Sequence, residues 1–118
     1  MFKTYSIKDE KMFIKLVKKG NWYGGNYLSL YVLPNNKEFN SLGISVSKKL
    51  GSAVKRNYIK RLVRESYKNC ESNVKFGYNL VFVCKSKADF SAIDYSKIDK
   101  DISFLLKKAG ILIEKNSD

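Results

Sequence analysis

The chain has 118 residues, 44% of them hydrophobic and 14% aromatic, and carries a net charge of +12. That length fits one domain, residues 1–118, with a core of its own, and the aromatic content sets it apart from a disordered basic tail. Histidine is absent, which excludes a histidine-driven nuclease, a zinc site built on His and a Ser-His-Asp triad.

Residues 6–20 predict a helix: Ser6 and Asp9 have capping spacing, Phe13, Leu16 and Val17 form an apolar stripe, lysines cover much of the rest, and Gly20 is the stop. Asn21 to Gly25 predicts a turn or a short irregular strand. Residues 26–33 predict a strand with Leu28, Leu30 and Val32 on one face and Tyr27, Ser29 and Tyr31 on the other. A second strand, 41–47, alternates Leu42, Ile44 and Val46 with Gly43, Ser45 and Ser47. Its small residues leave room for something to lie across that face. If the two strands pair, Tyr27 and Tyr31 lie across from Ser45 and Ser47.

Residues 52–70 predict a long helix capped by Ser52. The run Leu80 to Cys84 suits a central strand covered on both faces. Residues 94–109 predict the last helix, with Ser96 and Asp99 at capping spacing and Gly110 beyond its end. The order α-β-β-α-β-α implies an α/β (α+β) two-layer sandwich, a small central sheet with packed helices. Cys70 and Cys84 form no CxxC pair and read as small core hydrophobes. No apolar stretch approaches the roughly 20 residues that span a bilayer. The chain shows no signal peptide, and a cytoplasmic location is expected.

The charge is concentrated. Lys48 to Lys68 holds eight cations and one acid, Glu65, so it supplies +7 of the chain's +12. All three arginines, Arg56, Arg61 and Arg64, fall in this stretch. Arginine grips phosphate with a planar fork and stacks on bases, which lysine does not. On a helix, Ile59, Leu62, Val63, Ser66 and Cys70 share one arc, while Arg56, Lys60, Arg64 and Lys68 climb another with Asn57 and Arg61 beside them. Like charges at this spacing repel, and Lys55 and Arg56 oppose the macrodipole at the helix start. An anionic partner, above all nucleic acid, resolves both conflicts.

Ser45-Val46-Ser47-Lys48-Lys49-Leu50-Gly51-Ser52-Ala53-Val54-Lys55-Arg56-Asn57-Tyr58-Ile59-Lys60-Arg61-Leu62-Val63-Arg64 resembles the signature of the bacterial ribonuclease P protein subunit, S-K-K-x-G-x-A-V-x-R-N-x-x-K-R-x-x-R. The resemblance runs over nearly the whole chain. It implies a sandwich with an unusual left-handed β-α-β crossover, against the usual right-handed rule. It also implies a protein that assists a catalytic RNA subunit: it binds the single-stranded 5′ leader of precursor tRNA, and the Mg2+ needed for cleavage is bound mainly by RNA. Residue by residue, it assigns Lys48, Lys49, Arg56, Asn57, Lys60, Arg61 and Arg64 to the RNA subunit. It assigns Phe13 and Tyr31 to the leader cleft, with Val17 where a second aromatic is common; Tyr27, Ser45 and Ser47 complete the expected floor. Tyr58 stands where many members have Arg.

The alternative within RNA binding is a ribosomal or other structural role. A stand-alone metal nuclease needs clustered carboxylates, and the eleven here are dispersed. A membrane-surface role conflicts with an apolar arc of the second helix that the core needs. No catalytic residue, metal ligand or small-molecule substrate is assigned to the chain.

Overall fold

Alternation in the middle of the chain buries one face of a five-stranded sheet. The computed structural model describes residues 4–85 and 90–113. Its elements are β1 (Thr4–Ser6), α1 (Glu10–Lys19), β2 (Asn21–Gly24), β3 (Leu28–Pro34), β4 (Asn40–Val46), α2 (Ala53–Cys70), β5 (Tyr78–Cys84) and α3 (Tyr95–Lys108). The sheet order is β1-β4-β5-β3-β2. β2, β3 and β5 pair antiparallel, whereas β4 pairs parallel with both β5 and β1. Parallel neighbours need a crossover, and α2 provides it between β4 and β5.

Leu28, Leu30 and Val32 of β3 and Leu80, Phe82 and Cys84 of β5 point to the same side. There they meet Ile59, Leu62 and Val63 of α2 and Ile98, Ile102, Leu105 and Leu106 of α3, all buried. The sheet and the α2–α3 pair are the two layers of the expected sandwich. α1 crosses the opposite face and packs on β3 and β5, where Leu16 and Val81 are fully buried.

Three local expectations change. The first described element is a strand, so Ser6 lies in β1 and Asp9 alone caps α1, its carboxylate accepting from the Lys11 N–H at 3.0 Å. Asp94, not Ser96, caps α3 by accepting from the Lys97 N–H at 2.9 Å. β5 separates β3 from β4, so those two do not pair. Of the two readings of Asn21 to Gly25, the strand is the one that forms, Asn21–Gly24 at the sheet edge.

Two buried polar groups fix the periphery. Asp101 of α3 is 4% exposed, and its carboxylate accepts from the backbone N–H groups of Asn26, Tyr27 and Leu28 at 2.9, 2.7 and 2.9 Å. One helix side chain thus holds the β2–β3 turn. On the far edge, the Tyr67 hydroxyl lies 2.9 Å from Thr4 Oγ1, while Asn40 accepts from the Tyr78 N–H and donates to the Lys75 carbonyl, each at 2.9 Å. This ties the short β1 to α2.

Candidate nucleic-acid interface

Residues paired across neighbouring strands share a face, so the α1 side of the sheet divides into rows. One row runs Gly43, Val81, Tyr31, Trp22; the next runs Ser45, Val83, Ser29, Gly24. Phe13 descends from α1 onto the first row. A Cβ on Gly43 would stand 3.1 Å from its ring and 3.3 Å from Val81, so what the absent side chain admits is the protein's own phenylalanine. Tyr31 is half-buried on the far side of Val81. Val17, one helical turn beyond Phe13, is 39% exposed. Ser45 and Val83 remain partly exposed in the second row. Phe13, Val17, Tyr31 and Ser45 therefore gather on one face.

Tyr27 and Ser47 do not join them. Tyr27 lies in the turn before β3, outside the strand's alternation, and packs against the core on the α2–α3 side. Ser47 follows β4 and caps the short 3-10 turn Lys48–Leu50, accepting from the Lys49 N–H at 3.2 Å.

Lys48 and Lys49 are exposed on that turn. Gly51, next in the motif, has φ 145, a conformation that glycine adopts without strain. It lets the chain leave the turn and enter α2, where the Ser52 hydroxyl accepts from the Lys55 N–H at 3.4 Å. Each step of four residues advances about 40° around a helix, so the cationic line winds outward from the core. Arg56 and Lys60 are half-buried; Asn57, Arg61, Arg64 and Lys68 are exposed. The Nε of Arg56 is buried and finds no acceptor among the described residues. Among the described residues the three arginines make one ion pair, Arg61 to Glu65 at 4.0 Å, with both side chains more than half exposed. Such a pair is worth little. Arg61 also lies over the Tyr58 ring, 5.6 Å from its centre, so the aromatic at that motif position steadies a guanidinium.

The aromatic face and the cationic line meet. β1 pairs with β4 only as far as Leu42. There a hollow of about 370 Å3 opens at the β1–β4 edge, lined by β1 and Ile7, by Phe13, Gly43 and Ile44, and by Arg64, Tyr67, Lys68 and the acidic Glu71. The Phe13 ring from the α1 side and the Arg64 guanidinium from α2 thus border one space.

A family model described as Ribonuclease P matches residues 1–110 of the chain. The chain belongs to the ribonuclease P protein family. The "Ribonuclease P protein component" of Clostridium botulinum (strain Langeland) is 42% identical over 110 residues, covering 92% of this chain and 97% of that protein. The protein of the same name from Clostridioides difficile (strain 630) is 36% identical over 112 residues, covering 94% and 96%. Among solved structures, the Staphylococcus aureus RNase P protein superposes with a TM-score of 0.79 at 34% identity, covering 93% of this chain and 99% of that one. The Thermotoga maritima RNase P protein, solved with 1-(4-fluorophenyl)-2-thiourea, gives 0.80 at 26% identity, covering 86% and 97%. As a ribonuclease P protein, the chain is an RNA-binding component of the endoribonuclease that processes tRNA 5′ ends. No helix among the described residues is long and apolar enough to cross a membrane.

Lys68 extends the ridge, as its spacing predicts, and borders the hollow. Trp22 is the residue of this surface that the sequence does not assign: it joins the Tyr31 row only through the β2–β3 register, which no local pattern encodes.

Proposed function

We propose that this ribonuclease P protein holds the single-stranded 5′ leader of precursor tRNA against Phe13, Val17, Tyr31 and Ser45 between α1 and the sheet. The ridge of α2, with Lys48 and Lys49, docks on the catalytic RNA subunit. The protein thereby assists the Mg-dependent endonucleolytic cut that leaves the mature 5′ end. The observation that carries this reading is the shared hollow at the β4 edge, where Phe13 and Arg64 border the same space. Single strands are held by cations along the backbone and rings beneath the bases, and the two meet there. The Nε of Arg56, buried and without an acceptor among the described residues, supports the same reading, because such a donor is costly and a phosphate oxygen would satisfy it.

Magnesium belongs, in this proposal, to the RNA. Among the described residues no group of three or more acidic, cysteine or histidine side chains could hold a metal ion, so these side chains do not fit a protein-built Mg2+ cage. The chain's contribution is position and charge: it orients the leader and neutralises phosphates near the cut. A cytoplasmic site of action is proposed with it, where two unpaired thiols remain reduced.

The test is cleavage of precursor tRNA by the RNA subunit at low Mg2+. Added protein is expected to stimulate cleavage, and Arg64→Ala to weaken assembly while lowering its salt slope by about 1. No stimulation by the intact protein overturns the proposal.

A further inference from the structure

We infer that Trp22 is a base-stacking platform that extends the leader groove to the β2 edge of the sheet. This rests on the leader reading above. Trp22 is the sole tryptophan of the chain and sits on an edge strand, yet its side chain is 58% exposed. Its register partner is Tyr31. Its neighbour Tyr23 packs into the α2–α3 core, so alternation puts the indole on the α1 side, with Phe13 and Tyr31.

The ring does not stand out into solvent along its own row. It leans along the strand over Gly24, where a Cβ would lie 2.8 Å from Cη2 and 3.0 Å from Cζ2. Gly24 ends the row of Ser45, Val83 and Ser29. Glycine at this place is what lets the indole settle there. The strip between α1 and the sheet thus begins at the hollow beside Arg64 and ends on an exposed ring, three strand spacings or about 14 Å away. Two cations stand at the β2–β3 turn. Lys100 of α3 lines a hollow there with Gly24, Gly25 and Asp101, on the α3 side of the sheet, and the Lys85 ammonium donates to the Gly25 carbonyl. Every base offers a π-face, and an exposed ring at the end of the strip offers a surface on which one can stack. The occupant is therefore a leader nucleotide farther along than the one on Tyr31.

The experiment uses the holoenzyme, with precursor tRNAs of stepwise longer leader and mature tRNA as reference. Trp22 emission should stay constant with mature tRNA and short leaders and change once the leader reaches β2. Trp22→Ala should weaken binding of long-leader precursor about tenfold and leave the short-leader precursor unchanged. Trp22→Phe should retain most of the affinity, and Gly24→Ala, which displaces the ring, should lose part of it. If Tyr31→Ala weakens precursor binding while Trp22→Ala does not, the platform is refuted and the groove stands. If affinity is independent of leader length for the intact protein, both fall. A change in self-association with Trp22→Ala and unchanged leader affinity assigns the ring to a second copy and also overturns the inference.

Discussion

Asp101 shows how one side chain can decide a local structure. Three backbone N–H groups converge on its carboxylate, and Gly25 leaves room for it: a Cβ there would lie 2.9 Å from both oxygens. Asp101→Asn replaces one acceptor oxygen by a donor facing those groups. Unfolding in urea should show a loss of about 2–4 kcal/mol; a loss under about 0.5 kcal/mol, the size of an ordinary surface substitution, would contradict the assignment. The thiols act at the same scale. Burial, then the nearby Asp99, pushes Cys70 up from 9.0 to about 11, and burial, then Asp101, does the same for Cys84. A thiol held protonated by the fold contributes stability that is complete below pH 9 and lost as pH rises towards about 11. Thermal unfolding followed against pH should therefore fall more steeply over that window for the intact chain than for Cys84→Ala. Parallel slopes would contradict it.

At the scale of elements, α1 has to lie close enough to the sheet to place Phe13 without sealing the groove. Gly43 sets that distance. Gly43→Val adds branched carbon where the Phe13 ring already stands 3.1 Å from a bare Cβ position, so the ring must move. Precursor affinity should drop severalfold with the fold retained by circular dichroism; unchanged affinity would show that the position of Phe13 is immaterial. The elements themselves were legible to different degrees. α2 was readable almost to its ends, since its apolar arc, the Ser52 cap and the cationic arc are all periodic signals. β3, β4 and β5 announced themselves by alternation or by an unbroken apolar run. β1 is three residues long, too short for any period to appear. β2 contains Asn and Gly, which favour turns, and it forms because β3 offers an edge. The β3 alternation, extended one residue too far, puts Tyr27 in the groove; that residue lies instead in a turn whose direction Asp101 sets from 74 positions away.

Over the whole molecule, the ridge was legible because charge patterning needs no tertiary information. That it borders the aromatic face was not, because the contact depends on a sheet order in which β4 lies next to the edge. The excess charge of +12 suits a protein held among phosphates, and binding to RNA should weaken with salt in proportion to the number of phosphates neutralised. The most direct measurement compares precursor and mature tRNA binding by the reconstituted holoenzyme, with intact protein and with Tyr31→Ala. Tighter binding of the precursor, abolished by Tyr31→Ala while mature tRNA binding is spared, is the expected result. Equal affinity of the intact holoenzyme for both RNAs, or equal weakening of both by the substitution, would contradict the groove as the leader's place.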